Sequence, residues 1–233
     1  MATFVLVPGM WHGGWCWKEV SALLRAAGHE VYAITLTGVG ERAHLHYPDI
    51  AMKTHVQDVV NVLLYEDLHG VLLVGHSLGG IMAPAVAERI PERLVGIISL
   101  DGMIPIDGKS PKEMMPFLWS EFQQSAQESG DEGWVPPPDW TFGVTGPELE
   151  WLRSKLTVHP LKTLETPFSF TNPAARSIPR TFIHCTEGVS QEEIVNQEKE
   201  CTQLGWQYRM LSTGHDAMIT APEELTGMLL ELV

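Results

Sequence analysis

The chain has 233 residues, 44% hydrophobic and 19% charged, a composition that excludes a disordered protein and predicts one globular domain with a sizeable core. Its formal net charge of −14 would repel nucleic-acid phosphates, and its longest apolar runs have only strand length, so neither nucleic acid nor a membrane is an expected partner. The three cysteines form no Cys-x-x-Cys pair and the first residues lack signal-peptide features, which predicts a cytoplasmic protein without a metal site.

Short apolar runs alternate with longer helical patterns along the chain. The expected strands are Phe4–Val7, Glu30–Leu36, Val71–Gly75, Leu94–Leu100, Thr181–Cys185 and Gln207–Leu211. The expected helices lie at about Trp15–Ala27, Thr54–Glu66, Leu78–Ile90, Gln191–Leu204 and Pro222–Leu232. Ser190 and Thr220 are each followed three residues later by a glutamate, which matches a helix capping box. The alternation predicts an α/β fold with a mostly parallel six-stranded sheet flanked by helices.

One long stretch, residues 103–179, breaks this alternation. It shows no clear strand, is rich in proline and contains Trp119, Trp134, Trp140 and Trp151. So long an insertion that still holds many apolar residues favours a lid of short helices over a loose loop. We therefore expect a helical cap at residues 103–179, inserted between two parts of one core, residues 1–102 and 180–233.

The segment Gly75-His76-Ser77-Leu78-Gly79 joins an expected strand to an expected helix. A Gly-x-Ser-x-Gly sequence in this context predicts a nucleophilic serine, Ser77, on a sharp turn. The flanking glycines fit because a Cβ would clash in so tight a bend. The helix that begins at Leu78 would direct its amide dipole toward negative charge that develops at the serine.

A serine hydroxyl is a weak nucleophile and needs a neighbouring base. His215 follows the last expected strand and precedes the last expected helix, which makes it the candidate base. Asp101 and Glu187 both follow strands and keep the chain order serine, acid, histidine. Asp101 is favoured because a charged group that closes an apolar run needs a structural or catalytic reason, and Glu187 is the alternative acid.

The first expected strand ends in a glycine-rich turn, Pro-Gly-Met-Trp-His-Gly-Gly at residues 8–14. Such a turn would bring the backbone amide of Met10 beside that of Leu78. Two amides in this position would form an oxyanion hole for a tetrahedral intermediate.

Four motifs together resemble one branch of the α/β-hydrolases, which contains plant methylesterases, hydroxynitrile lyases and small bacterial esterases. The motifs are Gly-Met-Trp-His-Gly-Gly-Trp-Cys-Trp, Ala-Ala-Gly-His-Glu-Val, Gly-His-Ser-Leu-Gly-Gly and Gly-His-Asp-Ala-Met. The resemblance implies a cofactor-free site under a helical cap and, often, a homodimer. The chain has Pro8 and Gly188 where plant methylesterases carry histidine and aspartate, and the second difference also favours Asp101. It has Gly9 and Asp216 where the lyases need threonine and lysine, which argues against lyase activity.

These residues predict a serine hydrolase that cleaves small hydrophobic or aromatic carboxylic esters through an acyl-enzyme, with aryl carbamate or amide hydrolysis as the alternative. Hydroxynitrile lyase activity and a non-catalytic receptor are less favoured. The many aromatic residues of the expected cap favour an apolar pocket. The candidate pocket residues are Trp11, Trp119, Trp134, Trp140 and Phe142.

Overall fold

The computed structural model describes residues 1–233. In chain order the strands and α-helices are β1 (Thr3–Val7), α1 (Lys18–Ala26), β2 (Glu30–Ala33), α2 (Met52–Tyr65), β3 (Val71–His76), α3 (Leu78–Arg89), β4 (Leu94–Leu100), α4 (Pro111–Met114), α5 (Pro116–Ser129), β5 (Trp134–Val135), α6 (Pro147–Lys155), β6 (His159–Pro160), α7 (Pro173–Arg176), β7 (Arg180–Cys185), α8 (Gln191–Gln203), β8 (Gln207–Leu211), α9 (Ala217–Thr220) and α10 (Pro222–Leu230). The helix expected from Trp15 opens as a 3₁₀ turn, Gly14–Trp17, before α1.

The central sheet has six parallel strands in the order β2-β1-β3-β4-β7-β8. All six residues of β3 are buried, as expected for a central parallel strand that is covered on both faces. Because the strands are parallel, their carboxyl ends meet at one edge of the sheet, where such folds bind their ligands. The predicted α/β-hydrolase fold is confirmed.

Alternate residues of the strands enter two hydrophobic clusters, one on each face of the sheet. Along β1, Val5 and Val7 belong to a cluster with residues of α2 and α3, whereas Phe4 and Leu6 belong to a cluster with residues of α1 and α10. The alternation of side chains along the strand therefore places one set of residues against α2 and α3 and the other set against α1 and α10.

The cap segment, residues 103–179, contains α4 to α7 and an antiparallel ribbon of β5 and β6. The ribbon was not expected from the sequence. Phe122, Val135 and Leu152 of the cap segment belong to the same cluster as Val5 and Leu73 of the sheet. The cap segment thus packs continuously with one face of the sheet, and its division from the core as a separate unit stays a prediction.

The strand predicted at Glu30–Leu36 ends three residues early, at Ala33. The Ile34 N–H still donates to the Leu6 carbonyl of β1 at 2.9 Å, but after it the backbone bonds to side chains, and the Thr35 carbonyl accepts from the Arg42 guanidinium at 2.9 Å. The backbone N–H and the hydroxyl of Thr37 both donate to the carboxylate of Asp58 in α2, at 2.7 and 2.8 Å.

One of the two predicted capping boxes is confirmed and the other is wrong. The Ser190 hydroxyl accepts from the Glu193 N–H at 3.2 Å, and the Glu193 carboxylate accepts from the Ser190 N–H at 3.0 Å. Thr220 does not cap α10, which begins at Pro222. Its hydroxyl bonds to the hydroxyl of Thr213 at 2.6 Å and ties α9 to the preceding loop.

None of the helices is both long enough and apolar enough to cross a bilayer.

Candidate active site

Ser77 occupies the turn between β3 and α3 with φ 53° and ψ −119°, a region that non-glycine residues rarely adopt. Holding a residue there costs about 1–3 kcal/mol, so the surroundings must enforce it. The Ser77 N–H donates to the Leu100 carbonyl at 2.9 Å. A Cβ on Gly75 would overlap the Gly79 carbonyl, and one on Gly79 would lie 2.7 Å from the Pro8 carbonyl oxygen. Gly75 therefore allows β3 and α3 to meet this closely, and Gly79 allows α3 to approach the end of β1.

The imidazole of His215 is held by Asp101, the residue that follows β4. Nδ1 of His215 donates to Oδ2 of Asp101 at 2.6 Å, and Oδ1 of Asp101 accepts from the Cys185 N–H at 2.9 Å. Asp101 reaches this position with φ 47°, a second strained residue at a strand end. Glu187, the alternative acid, is exposed and makes no hydrogen bond with His215.

His215 lies in the loop between β8 and α9. Burial lowers its pKa, but the hydrogen bond and charge of Asp101, together with the charge of Asp216, outweigh burial and raise the pKa above its usual value of 6.5. Its Nε2 makes no hydrogen bond within the protein, and His215 lines the same cavity as Ser77. The two side chains are not hydrogen-bonded here, as is common before a substrate tightens catalytic hydrogen bonds.

The predicted oxyanion donors lie against the same cavity. Leu78 is the first residue of α3, so its N–H has no acceptor within the helix. The N–H of Met10 makes no hydrogen bond within the protein. A Cβ on Gly9 would lie 2.8 Å from the Cβ of Ser77, which shows how closely the loop after β1 passes over the serine. This close approach brings the Met10 amide into the neighbourhood of the serine.

A cavity of about 230 Å³ opens at Ser77 and is mainly apolar. Of the candidate pocket residues, Trp11, Trp140 and Phe142 line this cavity. Trp119 and Trp134 lie outside its lining. The Lys112 ammonium lies over the Trp119 ring at 5.3 Å. Trp134, in β5, is 3% exposed, and its ring packs against that of His46.

Sequence reasoning did not place several other lining residues, among them Met115, Leu118 and Phe122. These three follow a spacing of three and four residues at the start of α5, which sets them on one side of that helix. That spacing is visible in the sequence and could have identified these three residues as one wall. Met103, just after Asp101, completes this wall of the cavity.

Behind the cavity lies a buried polar network that the sequence did not reveal. His12, His76 and Asp216 are each at most 1% exposed. Burial is the main cause that lowers the pKa of His76 to about 3, so its ring is neutral, and its Nε2–H donates to the His215 carbonyl at 3.0 Å. His76, His215 and Asp216 also bring potential metal-ligand atoms within 4.8 Å of one another. The positions of the His76 and His215 rings are accounted for by their hydrogen bonds to the His215 carbonyl and to Asp101.

Comparison with known proteins agrees with this geometry. Residues 4–227 match the model of the alpha/beta hydrolase family. The chain is 34% identical to a carbendazim hydrolyzing esterase of Nocardioides sp. (strain SG-4G), with 100% of both chains covered. It is 28% identical to Methylesterase 7 of Arabidopsis thaliana, covering 98% of this chain and 95% of that one. A solved extracellular alpha/beta-hydrolase from a Paenibacillus species has a TM-score of 0.85 at 21% identity, covering 99% and 98% of the two chains. The protein belongs to the α/β-hydrolase family.

Proposed function

We propose that this protein is a serine carboxylesterase that hydrolyses small hydrophobic or aromatic esters. The observation that carries the proposal is the bonded pair Asp101–His215 on the same small apolar cavity as the strained Ser77. The names of the relatives, an esterase and a methylesterase, agree with this reaction class.

In the first step His215 Nε2 accepts the hydroxyl proton while Oγ of Ser77 attacks the ester carbonyl carbon. The carbonyl oxygen becomes an oxyanion, which accepts hydrogen bonds from the N–H groups of Met10 and Leu78. When the carbon–oxygen bond to the alcohol breaks, the proton on Nε2 passes to the leaving oxygen. Water, deprotonated by the same nitrogen, then attacks the acyl-enzyme and releases the acid, and Ser77 regains its proton.

The cavity favours small, uncharged substrates. Its volume of about 230 Å³ is below the usual range for drug-sized ligands, roughly 300–1,000 Å³. The ionisable side chains of its lining are Asp101, His12, His76 and His215. The rest of the lining has no ionisable side chain that could bind a charged group of the substrate. The Trp11 and Trp140 rings meet edge to face at 5.9 Å and offer an aromatic surface for a flat acyl or alcohol group.

Aryl carbamate hydrolysis is the second candidate. The Nocardioides relative is named for the hydrolysis of carbendazim, an aromatic carbamate, and the same serine, histidine and acid would perform acyl transfer from a carbamate. Cyanohydrin cleavage is disfavoured, because the position where the lyases need lysine holds Asp216, which is fully buried.

The three cysteines, Cys16, Cys185 and Cys201, are buried and unpaired, which supports the proposal that the protein works in a reducing compartment such as the cytoplasm. The homodimer implied by the family resemblance remains part of the proposal.

A turnover screen tests the proposal. p-Nitrophenyl esters of rising acyl length, methyl esters of aromatic acids and aryl carbamates are offered to the native protein and to Ser77→Ala. We expect activity to be highest on short or aromatic acyl groups, to fall with long chains, and to vanish in Ser77→Ala. Full activity in Ser77→Ala, or turnover of none of these compounds by the native protein, would contradict the proposal.

A further inference from the structure

Two fully buried ionisable side chains near the serine take no part in the mechanism above. His12, in the loop after β1, is 1% exposed, and Asp216, directly after His215, is 0% exposed. Nδ1 of His12 lies 2.7 Å from the Met10 carbonyl oxygen, and Nε2 lies 3.1 Å from Oδ2 of Asp216. Both nitrogens of one ring therefore face oxygen atoms inside the protein.

The hydrogen-bond geometry indicates which atoms of this pair carry protons. A carbonyl oxygen only accepts hydrogen bonds, so Nδ1 of His12 must carry a proton. An ionised carboxylate also only accepts, so Nε2 must carry a second proton as long as Asp216 is ionised. Burial acts to raise the pKa of Asp216, but the charge and hydrogen bond of His12 outweigh burial and lower the pKa. With Asp216 ionised, both ring nitrogens of His12 donate, which is the hydrogen-bond pattern of an imidazolium beside a carboxylate.

Two other carboxylates lie near this buried pair: Asp101, which is bonded to His215, and Glu41, whose Oε2 would lie 3.0 Å from a Cβ on Gly13. Burial lowers the pKa of His76 to about 3 and that of His159 well below its usual value. Burial raises the pKa values of the thiols of Cys16 and Cys185. Both side chains of the pair are at most 1% exposed, so bulk water does not screen their charges. In such surroundings its two charges depend on each other.

The pair forms a dipole that has a direction. His12 lines the cavity, whereas Asp216 does not. The positive end of the pair therefore faces the space where the ester carbonyl must lie, and the negative end lies behind it. A preorganised positive group on this side would stabilise an oxyanion more than the neutral carbonyl from which it forms.

The pair also holds the backbone of the loop. The Met10 carbonyl accepts from His12, and on the other side of the same peptide the Trp11 N–H donates to Nδ1 of His159 at 3.4 Å. Trp11 has φ 64°, so this peptide is kept in a conformation that an aromatic residue rarely adopts. Rotation of this peptide would also turn the neighbouring one, which carries the Met10 N–H.

We propose that His12, kept as an imidazolium by Asp216, is a positioning residue that fixes the oxyanion loop, residues 8–14, and presents the positive end of a buried dipole to the oxyanion. The role in turnover rests on the proposed esterase function. The charge state of the pair does not, and it is tested separately.

The charge state is measured by nuclear magnetic resonance on the native protein with ¹⁵N-labelled histidine. The His12 signals are identified as those that disappear in His12→Asn. We expect both ring nitrogens to show protonated shifts across neutral and mildly alkaline pH. An Nε2 without a proton in that range would overturn the pair, whether or not the protein hydrolyses esters.

The role in turnover is measured with two variants that separate the two bonds. His12→Gln places a donor near the Nε2 position and can still bond Asp216, but it loses the bond to Met10. Asp216→Asn can donate to Nε2 of a neutral His12, so it keeps the bond to Met10 and loses the charges.

For His12→Gln we expect kcat to fall roughly 10²-fold, comparable to the loss of one oxyanion donor, while KM changes little. For Asp216→Asn we expect a fall of about tenfold in kcat, with the melting temperature reported for each variant. If both variants fold and keep kcat within about twofold of the native value, the positioning role is wrong. If His12→Gln does not fold, the kcat of Asp216→Asn decides in the same way. A native protein that hydrolyses no ester overturns the proposed function and leaves the resonance result valid.

Discussion

Replacing Asp101 by asparagine isolates the function of the acid, because asparagine has nearly the same shape and tolerates the positive φ of 47° at this position. In the native protein Oδ1 accepts from the Cys185 N–H and Oδ2 accepts from Nδ1 of His215. In Asp101→Asn the amide oxygen would keep the bond to Cys185, and the amide NH₂ would then face His215. The imidazole must respond by accepting at Nδ1 and carrying its proton on Nε2.

That tautomer cannot take the proton of Ser77, and the imidazolium formed during the reaction also loses its carboxylate partner. The same exchange in another serine hydrolase triad lowers kcat about 10⁴-fold, which corresponds to about 5 kcal/mol of activation free energy. We expect a loss of this size here, with KM changed much less.

The assay is p-nitrophenyl acetate hydrolysis with purified variants, and the matched control is Glu187→Gln. Glu187 is exposed, so its exchange should alter kcat by less than about twofold. Circular dichroism establishes that both variants are folded. If Asp101→Asn keeps kcat within about tenfold of the native enzyme, or if Glu187→Gln loses it, the assignment of the acid is refuted.

Three further predictions follow from the same geometry. The pKa of His215 is raised, and a doubly protonated imidazole cannot accept a proton from Ser77. We therefore expect kcat/KM to fall as the pH decreases through a value above 6.5. A pH profile whose acid limb lies below 6.5 would contradict this. Trp140→Ala removes an aromatic ring from the cavity wall and should raise KM for aromatic esters roughly three- to tenfold. The control is Trp119→Ala, which should leave KM unchanged in the same assay because Trp119 does not line the cavity. Gly214→Ala would place a Cβ against the backbone of Gly143 in the cap segment and should lower both the melting temperature and kcat. The control Gly227→Ala has open space around its Cβ and should raise the melting temperature slightly. Equal melting temperatures of the two variants would count against the close packing of the loops that contain Gly143 and Gly214.

The local sequence is enough to predict the strands and helices that carry Ser77 and His215. Ser77 needs only a strand, two glycines and a helix close in the chain, and all of these are visible in the local pattern. The position of His215 after the last strand follows from the alternation of strands and helices. The inner strands β1, β3 and β4 were found for the same reason, since nearly all of their residues are apolar and buried.

The acid depended on information that the chain order does not contain. Asp101 and Glu187 both follow strands, and only the φ of 47° at Asp101 and the pairing of β4 with β7 turn one carboxylate toward the imidazole. The His12–Asp216 pair joins residues 204 positions apart, and no local pattern brings them together. The cap segment was the hardest part, because the direction of each short helix is fixed by contacts with the sheet and not by its own sequence. For this reason the sequence could not show that Trp119 and Trp134 lie outside the cavity lining.

Covalent labelling of the native protein tests the central claim most directly. The protein is incubated with a fluorophosphonate probe, and the labelled residue is identified by mass spectrometry of the intact chain and its peptides. We predict one phosphonyl group per chain, carried by Ser77, with labelling that is strongly slowed in His215→Ala. A native protein that stays unlabelled, a label on another residue, or labelling at the native rate in His215→Ala would contradict the account.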